Sequence, residues 1–228
     1  MKGRGMKGRG MKGRVLSVAS ECVPFVKTGG LADVVGALPA ALAAVGWDMR
    51  VLIPAYRALR PLLAQMKAVL VEAGLFGGDG TVYAGRVDGM DLFLLDAPHL
   101  YDREGGPYGG SGGDWWDDLA YSGGGAVKSV LTVHNIAFQG WAPARLLGEL
   151  RLPAAQFHPE GLEYYGGLSS LKAGLVTADW ITTVSPTYAQ ELMRPAFGMG
   201  LQGVIAARSA QVSGILNGVD TDVWSPEA

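Results

Sequence analysis

Glu21-Cys22-Val23-Pro24-Phe25-Val26-Lys27-Thr28-Gly29-Gly30-Leu31-Ala32-Asp33-Val34 is the stretch on which the fold of this chain turns. An apolar run, Val15-Leu16-Ser17-Val18-Ala19, precedes it and predicts a fully buried strand. Leu31 to Val45 is rich in Ala, Leu and Val and predicts a helix that ends at Gly46. Strand, glycine-bearing loop and helix make the opening of a βαβ unit, and the helix start is a place for an anion. Gly29 and Gly30 lack a Cβ, so backbone N–H groups there can approach a ligand closely. Lys27 adds a mobile positive charge beside them. Two readings stay open on these residues: a site for a phosphorylated or sugar-nucleotide ligand, or plain turn chemistry beside a solvated lysine.

Composition narrows the rest. The chain has 228 residues, 49% hydrophobic and 18% charged, enough for a sizeable core, and one large domain is the default. A net charge of −2 points to neither nucleic acid nor an acidic membrane as partner. The one cysteine, Cys22, leaves no internal disulfide and fits a reducing, cytoplasmic setting; it reads as a small buried residue rather than a nucleophile. No apolar run approaches the roughly 20 residues of a membrane span. Residues 1–13 carry Met-Lys-Gly-Arg-Gly twice and have no apolar face, so they predict a disordered basic tail, with Met11 as a natural start. They lack the apolar segment of a secretory signal.

Strand signals recur along the chain. Met49 to Pro54 predicts a parallel strand closing the first βαβ unit. Lys67–Val71 and Thr81–Val87 predict an antiparallel pair around Gly77-Gly78-Asp79-Gly80, and Met90–Asp96 another strand. Ser129 to Asn135 predicts a strand whose carboxyl end carries His134 and Asn135, the end that faces the ligand crevice in open α/β sheets. Ser169–Leu175 reads as a helix. Trp180–Ser185 is the next strand, followed by a helix capped by Ser185 with Pro186 at its first position. Val212 to Asp220 is the last strand. His158 and Glu163 are of metal-ligating type, but the three histidines show no ligand spacing, so no metal is predicted.

Several of these strings together resemble one family. Glu21 with Lys27-Thr28-Gly29-Gly30-Leu31-Ala32-Asp33-Val34 is similar to the amino-terminal signature of bacterial glycogen synthases and plant starch synthases. The loop from Ala97 to Arg103 with Pro107-Tyr108, the run Thr132 to Gly140, Phe157 to Glu163, and Ser169 to Leu175 match the same pattern. The resemblance implies an α/β, Rossmann-like, mainly parallel sheet over residues 14–228, the N-terminal half of a two-domain GT-B glycosyltransferase. It implies glucose transfer from ADP-glucose to the non-reducing end of an α-1,4-glucan, with retention and without metal or cofactor. Carried over by residue, Lys27 contacts the donor, Gly29 and Gly30 offer amides, Tyr108 lines the donor pocket and Asn217 sits near the nucleotide. His134 and Asn135 fall to the acceptor side of the cleft.

Two departures from the family stand out. Only eight residues follow Asp220, where the family continues into a second domain. The family also carries a His-x-His-Asp-Trp strand and loop between the tyrosine loop and the Thr-Val-His-Asn strand. Here the Gly-rich interval 109–128 covers that region and holds no histidine, with Asp114-Trp115 as the remnant. In the strand order 3-2-1-4-5-6 the lost element lies beside the first strand. The expectation is a shortened, incomplete synthase domain with no catalytic residue assignable and no turnover of its own. A non-catalytic nucleotide-sugar or glucan-binding module, and another GT-B glycosyltransferase, are the alternatives.

Overall fold

The expected βαβ unit is present: β1 (Gly13–Val18), α1 (Gly30–Ala44) and β2 (Trp47–Pro54), with β1 and β2 parallel throughout. The computed structural model describes residues 11–110, 113–114 and 127–218. By its contacts the chain divides into two units, Met1–Pro107 and Tyr108–Ala228.

In the first unit, β3 (Lys67–Leu75), β4 (Gly78–Val87) and β5 (Met90–Asp96) complete a five-stranded sheet in the order β1-β2-β5-β4-β3. β1, β2 and β5 run parallel, and the antiparallel β4 and β3 flank them on the β5 side. Alternation sets the core: Met49, Val51 and Ile53 of β2 and Leu92 and Leu94 of β5 are buried, packed with Cys22, Val35 and Leu59. The β3–β4 turn falls at Phe76 and Gly77, not at Gly77–Gly80. Both residues have positive φ, 50° and 91°, as a two-residue hairpin turn whose twist matches its strands demands, and Gly78 to Gly80 pair within β4. A four-residue helix, α2 (Pro98–Tyr101), follows β5.

The second unit opens with a two-residue antiparallel pair, β6 (Gly109–Gly110) and β7 (Gly113–Asp114). β8 (Val130–Val133) comes next, then β9 (Trp141–Pro143), β10 (Glu163–Tyr164) and β11 (Gly167–Ser169), the last three forming a small antiparallel sheet. α3 (Ser170–Thr177), β12 (Trp180–Thr183), α4 (Pro186–Glu191), α5 (Gln202–Ala207) and β13 (Val212–Gly214) follow. β8, β12 and β13 form a parallel sheet with β12 in the middle, and Val133, Leu175, Ile181, Leu192, Leu201 and Ile205 make its core. Both capping serines act as their positions predict. Ser169 accepts the Lys172 N–H at 3.0 Å and Ser185 the Tyr188 N–H at 2.9 Å, with Pro186 opening α4.

The expected single sheet is therefore two. Strands near Val15 and Met49 belong to one, and those near Ser129, Trp180 and Val212 to the other, with β1 and β8 each an end strand. Of the interval 109–128 the described residues supply only β6 and β7. β1 is not buried on both faces: Leu16 is 55% and Val18 63% exposed. β1 also begins one residue inside the stretch assigned to the tail, and the Lys12 N–H donates to Gly46 O at 2.7 Å. Residues 1–10, Trp115 and Asp220 lie outside the described residues.

An exposed carboxylate pins the start of β8. Asp179 accepts from Lys128 Nζ at 2.7 Å and from the Ser129 N–H at 2.9 Å. The lysine first, and the amide next, hold its carboxyl down at about 2 from an ordinary 3.8. The folded value is depressed, so this contribution to stability is present above pH 3.8 and is lost as pH falls towards 2. Carboxyl-carbon NMR of Asp179 should show a midpoint near 2, and Lys128→Ala should move it towards 3.8. An unchanged midpoint would take the lysine out of the account.

Candidate functional site at the β1–α1 loop

The loop between β1 and α1 is built on a buried acid. Glu21 is 1% exposed, and its carboxylate accepts the Thr28 N–H, the Thr28 hydroxyl at 2.6 Å and the Gly29 N–H at 3.1 Å. An ionised carboxylate out of water is costly unless it is hydrogen-bonded, so these donors are held to it. Cys22 and Val26 exchange both backbone bonds at 3.0 Å, and the Val23 N–H reaches Ala32 O at 3.1 Å. The loop is thereby tied to itself and to the first turn of α1. Gly36 tightens the junction. A Cβ there would stand 2.4 Å from Val23 Cγ2 and 2.9 Å from Val23 O, so only glycine lets helix and loop approach this closely.

Gly29 and Gly30 are different. Gly29 has φ −152°, extended backbone that any residue adopts, and Gly30 is the first residue of α1. A Cβ at either would meet nothing within 4 Å. Neither turn geometry nor packing requires glycine at these two positions. What their bareness leaves is open space at the helix start, where first-turn amides lack intrahelical acceptors. The Gly29 amide is engaged by Glu21, so of the pair only the Gly30 amide lies outside that contact. Beside them Lys27, half exposed, holds its Nζ 2.7 Å from Asp33 Oδ1 in the first turn of α1. An exposed pair of this kind contributes about 0–1 kcal/mol, so the ammonium can be recruited by a stronger anion. Cys22, fully buried, has its thiol pushed up to about 11 by burial, which keeps it protonated and unreactive.

The other sequence-derived candidates lie in the second unit. Tyr108 is half-buried and stacks at a tilt on Phe138, ring centroids 5.1 Å apart. His134 and Asn135 follow β8 directly. Burial lowers the His134 pKa from 6.5, so its imidazole is neutral at pH 7. Exposed Asn135 accepts the Ala137 N–H at 2.9 Å and thereby turns the chain after the strand. The Ile136 N–H donates to the Tyr188 hydroxyl at 3.1 Å, which fixes this turn on α4. Asn217 is exposed, three residues beyond β13. Sequence reasoning passed over Glu21 as an anchor and Asp33 as the partner of Lys27. It also missed buried Lys172, whose Nζ donates to Pro159 O and, at 2.5 Å, to Glu163 O. Among the described residues no His, Cys, Asp and Glu group is arranged to hold a metal.

Two glycine substitutions separate packing from ligand space. Gly36→Ala gains up to about 1 kcal/mol of helix propensity but must overpack Val23, which typically costs 1–3 kcal/mol, so a net loss is expected on urea unfolding. Gly30→Ala should leave stability equal or slightly higher while weakening any ligand held over the helix start. Glu21→Ala should cost about 1.5–3 kcal/mol, the range for hydrogen bonds to charged groups. Equal stability of Glu21→Ala and the parent would show that the loop does not depend on the carboxylate.

Comparison with known proteins identifies the family of this chain. The family model described as the starch synthase catalytic domain matches residues 14–123 and 120–207. The chain is 65% identical to a glycogen synthase of Cereibacter sphaeroides, over 94% of this chain and 53% of that protein. It is 48% identical to one of Paracoccus denitrificans, over 93% and 54%. The catalytic domain of starch synthase IV from Arabidopsis thaliana, bound to ADP and acarbose, superposes with a TM-score of 0.76 at 26% identity, over 94% of this chain and 53% of that one. The chain spans about half the length of the curated relatives it matches. The Cereibacter alignment runs over 255 positions, yet 94% of 228 residues is only about 214, so roughly 40 positions have no residue here. The two family-model matches meet at 120–123, inside the shortened interval. The chain belongs to the starch and glycogen synthase family of glycosyltransferases.

Proposed function

We propose that this chain is the N-terminal Rossmann-like domain, residues 14–228, of a two-domain GT-B synthase that moves glucose from ADP-glucose to the non-reducing end of an α-1,4-glucan in cytoplasmic glycogen biosynthesis. The observation that carries the reading is the open space over Gly29 and Gly30 beside the half-exposed Lys27 ammonium, on a loop rigidly held by Glu21. A diphosphate is a stronger partner for that ammonium than the exposed Asp33 carboxylate. The solved relative bound to ADP supports a nucleotide diphosphate as the ligand class. Donor roles for Tyr108 and Asn217, and acceptor-side roles for His134 and Asn135, rest on the family resemblance. No metal or cofactor enters the reading, and neither a nucleic acid nor a membrane is proposed as partner. Among the described residues no helix is long and apolar enough to cross a membrane.

Binding without turnover is the expected behaviour of the isolated chain. Glucosyl transfer needs donor, acceptor and catalytic groups positioned together, an effect that alone can supply about 7–11 kcal/mol of the barrier. Groups acting as a unit lose their effect together, so an interval without histidine and half of the relatives' length should abolish rather than reduce the rate. Calorimetry should show ADP-glucose binding that Lys27→Ala weakens by about 1.5–3 kcal/mol. Equal affinity of parent and variant would remove Lys27 from the site. Labelled glucose incorporated into glycogen by the purified 228-residue chain, above a no-enzyme control, would overturn the expectation of inactivity.

A further inference from the structure

The hairpin that joins β10 to β11 places an aromatic residue where the backbone favours a smaller one. Tyr164 pairs with Gly167, so Tyr165 and Gly166 form a two-residue turn, and both have positive φ, 48° and 80°. Gly, Asn or Asp is the usual residue at such a position, and a tyrosine ring contributes nothing to the turn itself. Burial does not explain it either, since Tyr165 is 78% exposed. The ring is nonetheless held in place. It stands at 87° to the Tyr164 ring with centroids 4.7 Å apart, and a Cβ on Gly200 would come within 2.8 Å of its hydroxyl. The Tyr164 hydroxyl in turn donates to Met199 O at 2.5 Å. A fixed ring that is open to solvent is a stacking surface.

Beside this ring, within the second unit, lies a cavity of about 260 Å³ lined by Pro159, Glu163, Tyr164, Tyr165, Lys172 and Gly200. Lys172 is 5% exposed, and its ammonium donates to Pro159 O and Glu163 O. Its third N–H has no acceptor among the described residues. Burial lowers the Lys172 pKa, and the Glu163 and Glu160 carboxylates act against that. An anion entering here would meet the field of those two carboxylates, so the remaining N–H suits a neutral oxygen better than a phosphate. The volume lies below the roughly 300–1,000 Å³ of sites for drug-sized ligands, which fits a single ring and not a nucleotide. We infer that the cavity binds one pyranose unit of a neutral α-glucan, its C–H face stacked on Tyr165 and its hydroxyls bonded to Lys172 and Glu163. A sugar ring carries both an apolar face and a rim of hydroxyls, the two features this site is shaped to meet. The choice of an α-glucan among sugars rests on the proposed function. The cavity itself shares no residue with the Lys27 loop or with His134 and Asn135.

Amide NMR of the full 228-residue chain, titrated with maltotetraose, tests this site. The amides of Tyr165, Gly166 and Gly200 should shift together and saturate. Tyr165→Asn suits the positive φ and removes the ring, so it should fold as well as the parent and weaken maltotetraose binding about tenfold or more. Lys27→Ala should bind maltotetraose as the parent does. Unmoved amides would overturn the site, as would a Tyr165→Asn variant that binds as tightly as the parent. Shifts confined to Asn135 and Ile136 would also overturn it, since they would put the sugar at the residues assigned to the acceptor side. Cellotetraose shifting the same amides equally would overturn the α-glucan, and inorganic phosphate displacing maltotetraose would overturn a neutral ligand. ADP-glucose in a separate titration reads the Lys27 loop alone. Its failure to bind leaves the maltotetraose result standing, and a failure of maltotetraose leaves the Lys27 reading intact.

Discussion

A carboxylate withdrawn from water governs the part of this molecule that matters most. Glu21 can stay buried only while donors face it, and Thr28 and Gly29 provide them. Those donors sit on the two residues between Lys27 and the first turn of α1. Satisfying the acid therefore fixes the backbone on both sides: the ammonium before it and the helix start after it. Gly36 against Val23 closes the same unit from the helix side. The usual account of a helix start as an anion site needs one amendment here. The Glu21 carboxylate already takes the Gly29 amide, which leaves of the two glycines only the Gly30 amide outside that contact. The resulting site is narrower than two glycines suggest.

Local chemistry was legible in the residues. Serines 169 and 185 cap their helices because a hydroxyl three residues before an unpaired amide has one good place to go. Met90–Asp96 is a strand to the residue, since its apolar run is bounded by the positive-φ Asp88-Gly89 turn before it and by Pro98 after it. Glu21 stood inside the quoted string, but a carboxylate's burial depends on what folds over it, which no spacing displays. The hairpin turn was misplaced because a run of glycines offers several positions for positive φ. The strand register then chose Phe76-Gly77, placing a phenylalanine where such residues are rare. The last strand proved shorter than its apolar run, Val212–Gly214, because only those residues face β12.

The pattern of apolar runs concealed the division into two sheets. Each run from Val15 to Val212 is a competent strand by itself, and nothing in any one of them says that its neighbour is missing. Strand order supplies that information, because an order of 3-2-1-4-5-6 makes the first strand depend on a partner arriving from the interval 109–128. With seven glycines there and no apolar alternation, no such partner forms among the described residues. Leu16 and Val18 then remain on an open face, although their side chains are those of a buried strand.

Binding and turnover therefore rest on different supports. The hydrogen bonds and ion pair that hold the Lys27 loop to the start of α1 lie between Glu21 and Gly36: the carboxylate and its donors, the Cys22–Val26 pair, the Val23 bond to Ala32 and the ion pair to Asp33. None of these reaches into the shortened interval. A chain can lose a strand elsewhere and keep this loop intact, because hydrogen bonds of short sequence separation close without the rest of the sheet. Turnover has no such independence. It requires groups from distant parts of a sequence held in one geometry, and those groups fail as a set. The features that carry the family resemblance here are local ones, which is why family membership can be read without reference to the interval 109–128.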